Sequence, residues 1–445
     1  MFKKILIANR GEIALRVIRA CRQLGIKTVA IHSTADRDSL HVKLADESVC
    51  VGPAPSSKSY LNIPSILSAA EVTGSDAVHP GYGFLAENYE FAKRTQECGM
   101  KFIGPSPHNI ELMGDKIKAK QIVKDLGIPL IPGSYAKVKT ENDALAIASD
   151  ISFPVILKAA LGGGGRGMRI ISHESELRKS LSLVRNEVLA HFGSSDIYIE
   201  KYLNKPRHIE VQIVADQDGH VIHLGERECS VQRNYQKILE EAPCSFISDD
   251  MKSKILQDAV KIASSINYQS VGTIEFLFQD DTYYFIEMNT RIQVEHPVTE
   301  MVTGIDLVKT QIQIACGAKL NESFSDVQFK GHAMECRINA EDPETLMPYP
   351  GEIHDYHVPG GVGVRVDAAL YNGCEVQPFY DSLIAKLIVH GDNRNEVINK
   401  MRNALDEYVI GGIKTNIHLF RKILKDPEFV QGNLNTSYLK RFLKV

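Results

Sequence analysis

Apolar and polar positions along the first hundred residues predict strands and helices in alternation. Residues 3–8 and 28–32 are short apolar runs of the kind that form buried strands. Residues 11–24, between them, carry apolar side chains at helical spacing, and Gly25 follows where such a helix ends. The apolar stripe consists of Ile13, Ala14, Val17, Ile18, Cys21 and Leu24. Because one helix connects two neighbouring strands, the pattern predicts a parallel sheet covered by helices.

The rest of the chain divides into three further stretches. Residues 104–130 are helical in pattern and interrupted by Gly-Pro and Ile-Pro, which is typical of a connector. Residues 131–203 place strand patterns on either side of a glycine run, then a polar helix and a third strand. Residues 204–445 are rich in strand pattern at first and helical towards the end. We therefore expect a mixed α/β and α+β fold: an N-terminal parallel α/β domain (1–103), a helical linker, a glycine-rich lid and a large C-terminal β-rich domain.

Composition and charge narrow the class of protein. The chain has 445 residues, with 51 Lys and Arg against 55 Asp and Glu. This near-neutral balance indicates neither a nucleic-acid partner nor an anionic membrane partner. No apolar run approaches the roughly 20 residues of a membrane span, and Asn9 and Arg10 interrupt the first run too early for a signal peptide. Eight cysteines without a Cys-x-x-Cys pair favour reduced thiols in a cytoplasmic protein over disulfides or a zinc site.

Two loops of the N-terminal domain indicate which class of ligand the chain binds. The turn at residues 8–12 lacks the G-x-G-x-x-G spacing, which argues against NAD. The loop His79-Pro80-Gly81-Tyr82-Gly83 lies between a predicted strand and a predicted helix, at a strand end where ligands commonly bind. A plain turn explains that loop equally well.

The glycine run Leu161-Gly162-Gly163-Gly164-Gly165-Arg166-Gly167-Met168 is the sharpest local feature. Glycines let backbone N–H groups approach an anion closely, and an Arg adds positive charge. A strand pattern follows at 168–171 instead of a helix, so the run predicts a hairpin tip over phosphates and not a Walker A loop. Lys158, on the strand before it, is a natural phosphate partner. A flexible turn and a surface lysine are the alternatives.

A second candidate ligand site is the junction Glu200-Lys201-Tyr202-Leu203, since ligands commonly bind where two units meet. Backbone groups there can supply the donor and acceptor that the adenine edge requires, with Leu203 beneath the ring. From these four residues alone, an ordinary strand end is the better interpretation.

Residues 283–300 carry polar side chains at every second position, namely Glu287, Asn289, Arg291, Gln293 and Glu295. In an extended chain this spacing places all five on one face. A solvated outer face gives the same alternation, but this face contains no Lys, Ser or Thr.

Glu275 lies on the preceding strand pattern, 273–278, across a short Asp280-Asp281 turn. A hairpin there brings Glu275 nearly opposite Glu287, and one bulge or an odd loop is required to put both on the same face. Two carboxylates beside Asn289 would then suit Mg²⁺.

Three other polar stretches support a site that handles anions. Residues 333–339 place Glu335, Arg337 and Asn339 on one face, and residues 207–212 do the same for His208, Glu210 and Gln212. Residues 229–237 form a polar, basic stretch that predicts a loop. Each alone is compatible with a plain surface, but together they indicate an enzyme that works on phosphates.

At this point the chain is identified as resembling the ATP-grasp enzymes and, within them, the biotin carboxylases of bacterial acetyl-CoA carboxylase. Ten segments match in order along the whole chain. They are KILIANRGEIALRVIRA (4–20), HPGYGFLAEN (79–88), GPS (104–106), MGDKIKAK (113–120), KAALGGGGRGMRI (158–170), EKYL (200–203), RHIEVQ (207–212), EMNTRIQVEHPVTE (287–300), ECRINAEDP (335–343) and PFYDSLIAKLI (378–388).

The resemblance implies a role for each matching residue. The residues implied to bind ATP are Lys116, Lys158, Gly163, Gly164, Gly165, Arg166, Gly167, Glu200, Lys201, Leu203, His208, Gln232 and Tyr235. Those implied to bind Mg²⁺ or Mn²⁺ are Glu275, Glu287 and Asn289. Those implied to surround bicarbonate and biotin are Tyr82, Lys237, Arg291, Gln293, Val294, Glu295 and Arg337. Among the last group, Glu295 is the implied general base, Arg337 the stabiliser of the biotin enolate, and Arg291 and Lys237 complete the catalytic set.

Two positions depart from the family pattern. The family usually reads Q-R-R-H-Q-K where this chain has Gln232-Arg233-Asn234-Tyr235-Gln236-Lys237, so Asn234 replaces an Arg and Tyr235 replaces a His. We expect the chemistry to be retained and the contacts of this stretch with nucleotide or carrier to differ.

The resemblance also implies partners. The chain contains no Met-Lys-Met attachment motif and no carboxyltransferase region, so we expect a separate biotin carrier protein and separate carboxyltransferase subunits. A homodimer is implied by Arg16, Arg19 and Arg365. Arg16, Arg19 and Arg22 lie at helical spacing, away from the centre of the apolar stripe. This spacing is also typical of a solvated face. Gln23 stands where the family often has Glu, so we expect a weaker dimer.

Three alternatives remain open. The same catalytic half would serve a pyruvate carboxylase or another acyl-CoA carboxylase. Another ATP-grasp ligase would lack the bicarbonate set from Arg291 to Glu295. A catalytically dead nucleotide-binding scaffold would not need Glu275 or Arg337, both of which are intact.

Overall fold

The computed structural model of the protein describes residues 1–160, 167–192, 195–320, 324 and 327–442. Within those residues the strands form five sheets. The two largest sheets, of five and eight strands, carry most of the functional side chains, and helices cover their faces. No helix of the described ranges is long and apolar enough to cross a bilayer.

The N-terminal sheet is parallel and has the strand order β3-β2-β1-β4-β5. Its strands are β1 (Lys4–Ile7), β2 (Lys27–Ser33), β3 (Glu47–Gly52), β4 (Ala77–His79) and β5 (Lys101–Phe102). Its helices are α1 (Gly11–Gln23), α2 (Leu40–Leu44), α3 (Ile63–Val72) and α4 (Tyr89–Glu97). The predicted strand–helix–strand opening is therefore confirmed, with the apolar side of α1 packed against the sheet.

Three helices follow, α5 (Pro107–Gly114), α6 (Lys116–Asp125) and α7 (Glu141–Ile151). Asp115 caps α6 by accepting from the backbone N–H groups of Ile117 and Lys118, at 3.0 and 3.2 Å. This cap fixes Lys116 at the first position of α6, from which its side chain reaches a cleft beside the eight-stranded sheet.

The lid has a small antiparallel sheet of its own, in the order β7-β6-β8. Its elements are β6 (Val155–Ala159), β7 (Met168–Ile171), α8 (Glu174–Phe192) and β8 (Ile197–Lys201). Their apolar side chains, with those of α7, form a separate core that extends from Val138 to Ile199. β6 and β7 pair from Val155↔Ile171 to Lys158↔Met168. Residues 161–166 of the glycine run, predicted to form a hairpin tip, lie outside the described residues.

The largest sheet has eight strands in the order β13-β12-β9-β10-β11-β14-β19-β17. They are β9 (Arg207–Ala215), β10 (Val221–Arg233), β11 (Gln236–Ala242), β12 (Ser270–Gln279), β13 (Thr282–Asn289), β14 (His332–Asn339), β17 (Val364–Ala368) and β19 (Leu383–Gly391). Two short pairs join β15 (Gly351–Glu352) to β18 (Glu375–Val376) and β16 (Tyr356–His357) to β20 (Val409–Ile410). The remaining helices are α9 (Asp249–Ser265), α10 (His296–Thr303), α11 (Leu307–Ala315), α12 (Arg394–Glu407), α13 (Ile417–Ile423) and α14 (Pro427–Val430).

The polar stretch 229–237 was predicted as a loop, and this was wrong. It is the end of β10, a two-residue turn and the start of β11, with Arg233 paired to Gln236. Both turn residues, Asn234 and Tyr235, have positive φ, 49° and 66°. Asn tolerates the left-handed region better than most residues, which explains locally why this hairpin accepts an Asn where the family has an Arg.

Candidate functional site

A cleft of about 890 Å³ lies between the loops of the N-terminal sheet and one face of the eight-stranded sheet. Most of the predicted metal, bicarbonate and biotin residues line it together. The predicted residues on its wall are Tyr82, Lys116, His208, Tyr235, Lys237, Glu275, Glu287, Asn289, Arg291, Gln293, Val294 and Arg337.

The hairpin of β12 and β13 places two carboxylates side by side on the cleft face. Across its two-residue turn, Gln279 pairs with Thr282, and pairing continues to Phe276↔Phe285. Glu275 then pairs with Glu287, so Ile286 is one extra residue on β13. This bulge shifts the register by one and puts both carboxylates on the same face. The predicted bulge is therefore present, beyond the turn itself.

Glu275 is nearly buried and ionised. It receives hydrogen bonds from Lys237 Nζ and Asn289 Nδ2, both at 2.8 Å, and from Gln293 Nε2 at 2.9 Å. His208 Nε2 lies 3.0 Å from its other oxygen. Burial alone would raise the pKa of Glu275, but Lys237 and His208 lower it below its ordinary value. A carboxylate held in its charged form is what a divalent cation requires.

The second carboxylate, Glu287, accepts from Lys116 Nζ at 2.6 Å. Burial opposes the charge on Lys116, but Glu287 raises the pKa of this lysine above its ordinary value. Two paired carboxylates and the amide oxygen of Asn289 are hard oxygen donors, so the residues present fit Mg²⁺. The ligand atoms of His208, Glu210 and Glu275 also lie within 4.8 Å of one another. Lys237 already supplies positive charge there, since its Nζ donates to both glutamates.

Glu295 is not part of an extended strand, contrary to the expectation from the alternating pattern. β13 ends at Asn289, and Glu295 is the residue immediately before α10. Arg291 does not continue β13, because its Nε donates to Glu87 at 2.9 Å. Its other side-chain nitrogens donate to Asn289 Oδ1 and Gln293 Oε1, both at 3.0 Å. Arg291 and Gln293 still line the cleft, but an irregular segment and not a strand places them and the buried Glu295.

The carboxylate of Glu295 is fully buried between two cations. Lys237 Nζ lies 2.7 Å from one oxygen and Arg337 Nη2 lies 2.9 Å from the other. Burial would raise the pKa of Glu295, but Lys237 and Arg337, with Arg227, hold it well below its ordinary value. Glu295 is therefore an ionised carboxylate, buried beneath two cations that line the cleft.

Sequence reasoning missed Arg227, a fully buried residue of β10 that holds these groups in place. It donates to Glu210 and, at 2.7 and 2.9 Å, to Gln212 and Thr299. Glu210 in turn accepts from Lys237. A signal was available in the strand 207–212, whose buried Glu210 required a cationic partner.

A biotin carboxylase from Pseudomonas aeruginosa is 54% identical to the chain over 444 residues, which cover 100% of this chain and 99% of the relative. The chain belongs to the biotin carboxylase family. Residues 1–110 match the biotin carboxylase N-terminal domain, 115–323 the ATP-binding domain of the carbamoyl-phosphate synthase L chain, and 335–441 the biotin carboxylase C-terminal domain.

Two solved structures place this biotin carboxylase in the same fold. A biotin carboxylase from Campylobacter jejuni, described as a β,γ-ATP complex, superposes with a TM-score of 0.97 at 46% identity, covering 99% of both chains. The biotin carboxylase domain dimer of Hydrogenobacter thermophilus 2-oxoglutarate carboxylase, with MgADP, ADP and bicarbonate, has a TM-score of 0.96 at 49% identity, covering 99% of this chain and 98% of that one. The expected ATP-grasp ligase, with ATP, Mg²⁺ and bicarbonate as its reactants and cofactor, is confirmed by family membership.

The expected adenine side of this biotin carboxylase is built around buried Glu200. Lys158 Nζ lies 2.7 Å from its carboxylate, and Lys120 contacts the other oxygen. Burial and the neighbouring lysines lower the pKa of Lys120 well below its ordinary value and that of Lys158 to about 8. Sequence reasoning missed Lys120, although it lies four residues after Lys116 and so on the same face of α6.

Four other residues predicted to bind ATP lie on β8, just beyond it, on β10 and immediately before β7. Lys201 donates its Nζ to the carbonyls of Ser152 and Phe153, at 3.0 and 3.1 Å. Leu203 is half-buried just beyond β8, and Gln232 is buried with its amide donating to the Cys229 carbonyl at 2.9 Å. Gly167 has a φ of 69° at the base of the lid hairpin. Gly163, Gly164, Gly165 and Arg166 lie outside the described residues.

Arg16, Arg19, Gln23 and Arg365 line one shallow surface pocket. Arg19 is exposed. Arg16 is largely buried, with Nη2 2.9 Å from Glu300 and 2.6 Å from Asp306, so acidic residues nearly 300 positions away in the sequence neutralise it. The role of these arginines in a dimer stays a prediction.

Proposed function

We propose that this biotin carboxylase transfers the carboxyl group of bicarbonate to N1′ of biotin on a separate carrier protein, as the first half-reaction of an acetyl-CoA carboxylase in fatty acid synthesis. The observation that carries the proposal is the position of Glu295. It is a buried, ionised carboxylate between Lys237 and Arg337, 2.7 and 2.9 Å away, and both of these cations line the cleft that also presents two carboxylates suited to Mg²⁺.

In the first step bicarbonate attacks the γ-phosphorus of ATP, which gives carboxyphosphate and ADP. Bicarbonate is an anion, and Lys237, Arg291 and Arg337 supply the positive charge that holds it beside Glu295. Glu295 accepts the bicarbonate proton and so raises the nucleophilicity of its oxygen. Glu275, Glu287 and Asn289 would hold the Mg²⁺ that neutralises the phosphate charges. Lys116 and Lys158 orient the nucleotide.

In the second step carboxyphosphate breaks into CO₂ and phosphate. The phosphate accepts the proton from biotin N1′, and the resulting enolate attacks CO₂ to form the new C–N bond. Arg337 stabilises the negative charge on the ureido oxygen, because it lines the cleft and stays cationic. Carboxyphosphate hydrolyses readily, so the lid over the nucleotide serves to exclude water.

Bicarbonate-dependent ATP hydrolysis tests this proposal. The purified chain should hydrolyse ATP with bicarbonate and Mg²⁺, and free biotin should increase the rate and take up labelled carboxyl from bicarbonate. ATP hydrolysis without carboxylated biotin would refute it.

The same proposal includes a biotin carrier protein, carboxyltransferase subunits, a cytoplasmic location and a homodimer. Free cysteines throughout the chain support a reducing compartment. The exposed Arg19 beside Gln23 and Arg365 supports a surface for a second copy.

Disruption of the gene tests the choice of acyl acceptor. Growth that is restored by added fatty acids supports acetyl-CoA carboxylase. Growth restored by a dicarboxylic acid instead indicates a pyruvate or 2-oxoglutarate carboxylase.

A further inference from the structure

Behind Arg337, two carboxyl groups face each other in the interior of the eight-stranded sheet. Glu240 on β11 pairs directly with Glu335 on β14. Both side chains have 0% exposure. Directly opposite residues of an antiparallel pair have Cβ atoms about 4.5–5.5 Å apart on the same face, so the two carboxyl groups are neighbours.

The hydrogen bonds of this pair are incomplete. One oxygen of Glu240 accepts from Arg337 Nε at 2.6 Å. Among the described residues, the other Glu240 oxygen and both Glu335 oxygens are buried and make no hydrogen bond. A buried ionised carboxylate without a donor is costly, and two of them side by side repel. One proton shared by the pair removes both problems, since a protonated carboxyl donates to its neighbour.

The charged and titratable groups around the pair come from every element that packs on it. They are Lys237 from β11, Arg337 and Cys336 from β14, Lys386 from β19, Glu295 from the start of α10, Cys229 from β10 and Tyr82 from the loop after β4. The cations among them already have other anionic partners. Lys386 lies 3.2 Å from Glu12, and Lys237 contacts Glu210, Glu275 and Glu295.

Positive charge around the pair is therefore insufficient to keep both carboxyl groups ionised. Burial raises the pKa of Glu240 to about 7, although Arg337 opposes the shift. Burial also raises the pKa of Glu335 well above its ordinary value, against the effect of Lys386.

We propose that Glu240 and Glu335 share one proton at neutral pH and act as a positioning pair for Arg337. With one proton shared, Arg337 faces two negative charges, on Glu240 and Glu295, and not three. The role of Arg337 towards the biotin enolate rests on the proposed function, whereas the shared proton does not. When the pair loses that proton at alkaline pH, a third charge draws Arg337 towards the sheet and away from the substrate. The rate should then fall about tenfold per pH unit above the ionisation of the pair.

Infrared spectroscopy tests the shared proton without reference to activity. At neutral pH the difference spectrum between the wild-type protein and Glu335→Gln should contain the C=O stretch of a protonated carboxylic acid. The matched control is Glu300→Gln, because Glu300 is a nearly buried carboxylate paired with Arg16 and Arg365. Its difference spectrum should lack the band. Titration of the wild-type protein alone should remove the band at alkaline pH, which keeps the test valid if Glu335→Gln does not fold.

The pH profile of biotin carboxylation tests the positioning role. Glu335→Gln imitates the protonated partner at every pH, so the alkaline fall in rate should disappear while the acid side of the profile stays unchanged. Glu240→Gln removes the negative charge that faces Arg337 and should lower kcat more than it changes KM for ATP. Absence of the carboxylic acid band in the wild-type protein overturns the shared proton. An unchanged alkaline fall in folded Glu335→Gln overturns the positioning role.

Discussion

Replacing Glu295 by Gln removes one buried negative charge from between Lys237 and Arg337 and keeps the shape of the side chain. If Glu295 takes the bicarbonate proton, turnover should fall by roughly 10²–10⁴. Breaking a buried ion pair commonly costs about 3–5 kcal/mol of stability. Here Lys237 retains Glu210 and Glu275, and Arg337 retains Glu240. We therefore expect a loss near the lower limit, about 3 kcal/mol.

The pH dependence of that stability loss has a definite sign. The folded protein lowers the pKa of Glu295, so its charge stabilises the fold above the ordinary Glu pKa of about 4.3. The stability difference between wild type and Glu295→Gln should be constant from pH 8 to about pH 5. It should narrow as the pH falls further, towards the lowered pKa of the folded state.

Bicarbonate-dependent ATP hydrolysis with free biotin measures the loss of turnover in Glu295→Gln. Thermal unfolding over a pH series measures its loss of stability. Glu300→Gln is the matched control, since Glu300 lies on α10, which begins directly after Glu295, and also contacts two cationic side chains, Arg16 and Arg365. It should lose stability and keep its turnover. Near-full turnover in folded Glu295→Gln would refute the role of Glu295 as base.

Three further predictions concern the metal, the nucleotide and the dimer. Glu287→Gln should raise the Mg²⁺ concentration needed for half-maximal turnover, and an unchanged Mg²⁺ titration would contradict the metal assignment. Lys120→Met should raise KM for ATP by about tenfold with a smaller change in kcat, because Glu200 then attracts Lys158 alone; steady-state kinetics at saturating bicarbonate decide this. Arg19→Glu should shift a dimer to monomer in analytical ultracentrifugation, whereas Arg22→Gln, on the exposed end of the same helix, should not. A wild-type protein that is monomeric at every micromolar concentration would exclude the dimer.

Local patterns were sufficient to predict much of the fold and of the site. The apolar stripe of α1 and the strand runs beside it depend on neighbours a few residues away, and they appear as expected. A bulge in the hairpin of β12 and β13 was also predicted, from the expectation that two carboxylates sharing a cation lie on one face. It was expected in the 279–282 turn, and the structure places it at Ile286 instead.

Contacts between distant residues account for what could not be predicted. Arg291 leaves the line of β13 to meet Glu87, 204 positions earlier, and Arg16 is buried by Glu300, 284 positions later. The pairing of Glu240 with Glu335 depends on which strands become neighbours. Period-two alternation indicates which face a residue occupies but contains no information about what lies opposite.

The continuity of the eight-stranded sheet limits how this enzyme can move. Its hydrogen bonds run without a break from β13, which carries Glu287, through β11 to β14, which carries Arg337. Hinge bending between those strands would break ladder hydrogen bonds, so the sheet holds the backbone of Glu275, Glu287 and Arg337 in a fixed relation. The lid has a core of its own, and we expect it to move as a unit. Mutations that change its hinge should then alter product release and leave the chemical step unaltered.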